Sequence, residues 1–461
     1  MIARAIPTLP KWAPNLMAKS IARSLSAIAD EIHGLPPRRF GRVHRIVGMT
    51  VEAKGLRAPL GSLCVLYAAG GRELSAQVVG FNDDVTYIMP FGDTTGMQIG
   101  AKVLLLGTSD QAWVGDGALG RVLDAEGKPL DGAPLPIDLV PIDLNGTTIN
   151  PLGKTPINTT MDVGIRAING LLTIGRGQRI GLIAGSGVGK SVLLGMMTKF
   201  SSADVIVIGL VGERGREVKE FIDTSLGTEG LGRSVVIASP ADQAPLLRLR
   251  ATLLAHSYAE HFRQNGKHVL LLLDSLTRVA HAQREIGLAV GEPPTSKGYP
   301  PSVFSVLPKL IERSGTGGKN EGTITAFYTI LAEGDDLDDP VVDIARASLD
   351  GQITLSRQLA DSGHYPAIDL PASISRLMPA LVDEHKQRQA LEFKKLWSLY
   401  EENQDMLRIG AYQSGSDQEL DRAINLRAHM RDYLTQGMSE HCNLDEATYS
   451  LDSIFANGQT T

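Results

Sequence analysis

The segment Ala184-Gly185-Ser186-Gly187-Val188-Gly189-Lys190-Ser191 limits what this chain can fold into more than any other part of it. The apolar run Arg179–Ala184 precedes it and a helical pattern over Val192–Phe200 follows. A strand, a glycine-rich turn and a helix in that order make a phosphate-binding loop. The glycines let backbone N–H groups turn inward on phosphate oxygens, and the helix N-terminus adds a favourable dipole. Lys190 is placed to reach the β- and γ-phosphates, and the Ser191 hydroxyl to ligate Mg²⁺. ATP and Mg²⁺ are therefore the expected ligands. Ala184 occupies the first glycine position of the general pattern, where a methyl group is tolerated if φ is negative.

The sequence supplies further strands of the same kind. Val205–Leu210, Ser234–Ala238, His268–Leu273 and Thr323–Thr329 are rich in Val, Ile and Leu, with little polar alternation. Strands buried on both faces look like this, so the expected class is α/β, a parallel sheet with helices on each side. A chain of 461 residues is too long for one compact core. Residues 38–107 hold short runs such as Arg42–Val47, Ser62–Tyr67, Ser75–Phe81, Thr86–Met89 and Lys102–Leu106, with turn signals at Gly70-Gly71 and Asn82-Asp83. They read as an N-terminal small β-barrel. The Gly- and Pro-rich stretch from Gly115 to Pro156 reads as a long connection lying over the next domain, itself placed at residues 108–378. Beyond Arg376 the strand pattern stops. Ala390–Glu402 and Asp417–Leu434 are helical in pattern, so residues 379–461 form a C-terminal helical domain.

Hydrophobic residues make up 43% and charged residues 21%, and no run of eighteen apolar residues occurs, so no membrane span is expected. The net charge of -6 speaks against a nucleic-acid partner. Cys64 and Cys442 are too few for a metal cluster and fit a reducing compartment. Residues 1–37 carry their own pattern. Met17, Ile21, Leu25, Ile28 and Ile32 fall on one helical face between Asn15 and Gly34. Packing on the chain's own body, docking of a partner helix and contact with a membrane surface all fit such a stripe.

Two acids stand at strand tips. Asp274 ends His268–Leu273, where it is placed to hold the water shell of Mg²⁺, although an N-cap would also put an acid there. Glu213 follows Val205–Leu210 at the carboxyl edge, where ligands of α/β sheets bind. It is the best candidate to orient the attacking water, with a solvated helix start as the alternative.

Three longer stretches carry a resemblance: Gly212-Glu213-Arg214, Asp274-Ser275-Leu276-Thr277-Arg278 and Pro366-Ala367-Ile368-Asp369-Leu370-Pro371-Ala372-Ser373-Ile374-Ser375-Arg376. Together they resemble the α/β subunits of rotary ATP synthases and their secretion relatives. The segment from Gly291 to Phe304 is similar to type III protein-export ATPases, and Ile409-Gly410-Ala411-Tyr412 with Gly415-Ser416-Asp417 looks most like their flagellar branch. The resemblance implies a RecA-like core, and Mg-dependent ATP hydrolysis that energises export of flagellar proteins. It places Glu213 on the family's catalytic carboxylate and Arg214 and Arg278 beside the phosphates. Tyr365 looks like the aromatic that stacks on adenine. Arg376 resembles the arginine finger that reaches the γ-phosphate of a neighbouring subunit, which implies a homohexamer. Gly334-Asp335-Asp336-Leu337-Asp338-Asp339-Pro340 matches a family loop at the ring's central hole. It suits a basic coiled-coil stalk protein and equally a solvated acidic loop. By the same resemblance the N-terminal segment would dock a stator-like regulatory subunit and contact anionic membrane lipid. Chaperone–cargo complexes and an export gate would be further partners, and the location would be cytoplasmic, peripheral to the inner face of the membrane.

The neighbouring possibility is a virulence-type (injectisome) secretion ATPase with the same chemistry. A hexameric RNA-dependent ATPase would need a basic, aromatic barrel groove. Residues 38–107 offer Tyr67, Phe81, Tyr87 and Phe91 with no basic cluster between them. If the N-terminal stripe docks a partner, deleting residues 1–36 leaves the thermal melt unchanged and abolishes co-purification of that partner. A deletion that unfolds the chain points to packing instead.

Overall fold

The computed structural model describes residues 39–107, 111–135, 138–146, 149–332 and 338–457. The apolar stripe of residues 1–37 and the first half of the acidic loop, 334–337, lie outside the described residues.

Six strands close the first barrel: β1 (Phe40–Val47), β2 (Thr50–Lys54), β3 (Leu63–Tyr67), β4 (Glu73–Asn82), β5 (Val85–Pro90) and β6 (Lys102–Gly107), in the order β1-β2-β5-β4-β3-β6. Inward positions such as Val43, Val51, Cys64, Leu66, Val78, Ile88 and Val103 fill its core. The strand at Thr50–Lys54 is one the sequence pattern hid. Glu52 occupies a nearly buried position there, and its carboxylate is held across the ladder by the Arg45 guanidinium.

The core sheet runs β7 (Arg121–Leu123), β8 (Arg179–Ala184), β9 (Val205–Val211), β10 (Ser234–Ser239), β11 (His268–Asp274), β12 (Thr323–Leu331), β13 (Gly351–Leu355) and β14 (Ile368–Ser375) along the chain. In space the order is β14-β13-β8-β12-β11-β9-β10-β7. All neighbours are parallel except β14, which runs antiparallel to β13. The expected parallel sheet thus carries one reversed edge strand. The segment read as a connection contributes too: Arg121–Leu123 joins the sheet beside β10, and Gln111–Val114 pairs with Val140–Asp143 as a separate ribbon.

Continuous apolar runs in β9 and β11 follow from burial on both faces. One face packs under Pro245–Gln264, Leu276–Ala289, Pro301–Glu312 and Pro340–Ser348. The other packs under the phosphate-loop helix Lys190–Phe200 and the C-terminal helices Glu384–Glu402, Gln418–Leu434 and Leu444–Asn457 in one continuous core. The helix Arg166–Leu171 joins those layers, and a Cβ at Gly170 would overlap the Tyr433 hydroxyl. That hydroxyl donates to the Ala447 carbonyl at 3.0 Å. Gly170→Ala should therefore cost about 1–3 kcal/mol by forcing the C-terminal helices outward, read as a lower urea midpoint. An unchanged midpoint would show that this seam yields freely.

Candidate functional site

Three strands of the sheet bring charge to one carboxyl edge. β8 leads into the loop Gly185–Gly189 and Lys190, β9 is followed two residues later by Glu213, and β11 ends in Asp274. β12 lies between β8 and β11. Ala184 is the buried last residue of β8 and is not among the described residues with positive φ, so its methyl group is accommodated. Gly187 and Gly189 have φ of 77° and 89°, a region closed to most side chains, and Gly189 starts the helix Lys190–Phe200. Ser191 stands exposed in its first turn.

The Lys190 side chain is 11% exposed, with Nζ 2.6 Å from Asp274 Oδ1 and 3.4 Å from Glu213 Oε1. Burial alone would push its pKa down. The charges of Asp274 and Glu213, with their hydrogen bonds, outweigh that and hold it above the ordinary lysine value. Glu213 is shifted upward by burial first, then by the Asp274 charge, against the opposing charge of Lys190. A hydrogen bond with Glu217 adds to the rise. Gly212, at φ 72°, allows the turn that brings Glu213 in: a Cβ there would lie 2.7 Å from the Cβ of Arg278. Arg278 therefore packs against the backbone beside Glu213, while Arg214 is exposed and pairs with Glu217 at 3.5 Å.

Tyr365 is 45% exposed, and its ring lies beside Gly189 of the loop. Its carbonyl accepts the Gln436 N–H at 2.9 Å, which ties it to the C-terminal helices. Arg376 is elsewhere. It follows β14, whose antiparallel course carries it away from the loop. Its N–H donates to the Asp350 carbonyl, and the Asp350 carboxylate holds the N–H of Arg179, the first residue of β8. The strand is eight residues long, Ile368–Ser375, so Arg376 just past its end stands roughly 25 Å from the loop edge at about 3.3 Å per residue. It is exposed and donates to the Arg346 carbonyl at 3.1 Å. Of the acidic loop, Asp339 caps the helix Pro340–Ser348 by accepting the Val341 N–H at 2.8 Å.

Two residues were passed over in the sequence. Gln436 sits beyond a helix end with no motif around it. Thr329 was read as the end of an apolar strand, and its hydroxyl donates to Asp274 Oδ1 at 2.7 Å. Its only signal was a hydroxyl in an apolar run, and the pairing of Tyr328 with Leu273 puts it level with Asp274.

This arrangement defines a phosphate-loop nucleotide-binding core. Residues 164–375 match the nucleotide-binding domain of the ATP synthase alpha/beta family and residues 43–107 its beta-barrel domain. Residues 382–453 match the T3SS EscN ATPase C-terminal domain. The chain is 54% identical over 450 residues to the flagellum-specific ATP synthase of Pseudomonas aeruginosa, covering 96% of this chain and 100% of that one. It is 53% identical to the Salmonella typhimurium protein of the same name, covering 91% and 94%. Its fold matches the assembled ATPase EscN of the enteropathogenic E. coli type III secretion system with a TM-score of 0.86, at 40% identity over 90% of this chain and 99% of that one. The chain belongs to the ATP synthase alpha/beta family and is an ATPase. Within that family it stands with the flagellum-specific ATP synthases.

Removing Lys190 leaves Glu213 beside Asp274 without the cation that lowers its pKa. Breaking a buried ion pair from one side costs about 3 kcal/mol or more. A glutamate whose folded pKa is raised binds its proton more tightly folded than unfolded, so its stability contribution falls as pH rises. Lys190→Met should lower the thermal midpoint strongly at pH 8 and less at pH 5. Equal losses at both would exclude this charge balance.

Proposed function

We propose that this chain hydrolyses Mg·ATP as one subunit of a homohexameric ring and energises type III export of flagellar proteins. The observation that carries this reading is the pairing of Lys190 with Asp274 and Glu213 at one end of the sheet, with Arg376 at the other end. No single subunit brings the finger to its own loop over that separation. A head-to-tail ring does, because the β14 end of one copy then faces the loop of the next. EscN, at 40% identity, has been solved assembled and in complex with its central stalk EscO. We infer a ring and a coiled-coil stalk partner for this chain from that likeness. The higher identity to flagellum-specific relatives selects the flagellar machine over the virulence one.

The donor set fits a Mg-nucleotide: a hydroxyl at the helix start, a buried carboxylate, a lysine and a row of loop N–H groups. Bound Mg²⁺ neutralises phosphate charge. The backbone from Gly185 to Gly189 would cradle the phosphates, and Ser191 and Asp274 would hold the metal, Asp274 from its outer side. Lys190 exchanges its carboxylate partners for the β- and γ-phosphates. That frees Glu213, whose carboxylate accepts a hydrogen bond from the attacking water and aims it. Arg278 and Arg214 flank the phosphates, and Tyr365 stacks on adenine. Arg376 of the adjacent copy meets charge developing on the γ-phosphoryl oxygens. The stator-like subunit at the N-terminal segment, the anionic lipid contact at the inner membrane face, the chaperone–cargo complexes and the export gate complete the proposed setting.

The composite site has a direct test. Glu213→Gln and Arg376→Ala should each bind nucleotide and lose turnover, the latter by ~10³-fold. Co-expressed so that rings mix, they should recover up to about one quarter of the wild-type rate, because each Arg376→Ala subunit followed by a Glu213→Gln subunit restores one intact site. Mixed rings that stay inactive would rule out a finger supplied in trans.

A further inference from the structure

β12 lies between the strand that carries the phosphate loop and the strand that ends in Asp274. Its register sets Thr329 opposite Leu182 of β8, and Tyr328 opposite Leu273 of β11. Successive side chains of a strand alternate in face. Tyr328 accordingly joins the core under Pro245–Gln264, and Phe327 joins the core under the phosphate-loop helix. Thr329 shares the face of Phe327. Its side chain is fully buried, with the apolar Leu182 opposite it on β8 and Phe327 on its own strand. A buried hydroxyl must find a partner or cost its full desolvation. Two acceptors lie within reach, Asp274 Oδ1 at 2.7 Å and the Leu273 carbonyl at 3.3 Å. The hydroxyl has one proton, and the shorter contact to the carboxylate takes it.

Asp274 Oδ1 thus receives two donors, Lys190 Nζ at 2.6 Å and Thr329 Oγ1 at 2.7 Å. They differ in what nucleotide does to them. Lys190 is on the loop's helix and moves to the phosphates under the reading given above. Thr329 is fixed by strand pairing on both sides of β12 and stays. We propose that Thr329 is a positioning residue for Mg·nucleotide. Its hydroxyl holds the Asp274 carboxylate by Oδ1 after Lys190 has left, and so presents Oδ2 to the water shell of the metal. Residues that orient a metal-holding group typically shift metal affinity by roughly 10- to 100-fold when removed. The proposal rests on Asp274 as the metal-side carboxylate.

The test uses the full chain and three variants. Thr329→Val keeps the β-branched shape and removes the hydroxyl, Thr329→Ser keeps the hydroxyl, and Asp274→Asn probes the underlying site. Binding of a fluorescent ATP analogue is titrated against Mg²⁺ and repeated in EDTA, with thermal melts alongside. Thr329→Val should raise the Mg²⁺ concentration for half-maximal binding roughly tenfold, with binding in EDTA unchanged. Thr329→Ser should restore the wild-type Mg²⁺ curve. A hydroxyl that only satisfies the strand leaves the Mg²⁺ curve where it was in Thr329→Val, and that result overturns the proposal. Equal loss of binding with and without Mg²⁺ also overturns it, because the defect is then in the fold or the loop. If Asp274→Asn moves the curve and Thr329→Val does not, Thr329 alone is refuted. If neither moves it, the assignment of Asp274 falls and the proposal with it.

Discussion

One buried cation between two carboxylates organises this molecule. Lys190, Asp274 and Glu213 have side chains 11%, 6% and 15% exposed, so each would be costly to bury alone. Together they carry a net charge of one unit negative, and Lys190 is the only one of the three that sits on the loop. The loop's geometry is therefore held partly by charges that arrive on other strands. Nucleotide phosphates, which compete for the same ammonium, must displace both carboxylates to win it. In the function proposed above, that exchange would couple binding to release of Glu213. Burial and the Asp274 charge raise the Glu213 pKa against the pull of Lys190, and a more basic carboxylate is what the proposed role would need.

The two ends of the sheet do different work because one strand is reversed. In an all-parallel sheet, the residue after the last strand would emerge at the loop edge. The antiparallel pairing of β14 with β13 instead delivers Arg376 beside Asp350 and the start of β8. The same strand begins next to Tyr365 on the loop side. A single strand thus links the two ends of the core: an aromatic beside the loop at one end, and at the other an exposed guanidinium that donates to the Arg346 carbonyl.

What could be read from the sequence follows from burial. Strands enclosed on both faces show as unbroken Val, Ile and Leu runs, so β8 through β12 were legible, and so was the loop that follows the first of them. Strands recruited by backbone pairing were not. Arg121–Leu123 is too short to show a period, and Gly351–Leu355 and Ile368–Ser375 sit toward the sheet's edge, where polar residues interrupt the pattern. Thr50–Lys54 was masked by a glutamate that its cross-strand arginine makes acceptable. In the site, the residue types, their strand-tip positions and the meeting of Asp274 with the loop were expected, while the direct ion pair of Lys190 with Asp274 was not. Lys190 and Asp274 are 84 residues apart, and only the strand order brings them together.

The C-terminal helices are built into the nucleotide site rather than appended to it. They share one core with the phosphate-loop helix. Gln436, nearly buried, donates its N–H to the Tyr365 carbonyl and its side-chain amide to the Gly164 carbonyl, and accepts the Arg166 N–H. Further bonds cross the same seam, from Lys386 to the Asn169 carbonyl, from Lys394 to the Ser373 carbonyl and from Asn169 to the Cys442 carbonyl. The ring that stands beside the loop is thus tied to the helices far from the chemistry, through Gln436 and through the core they share.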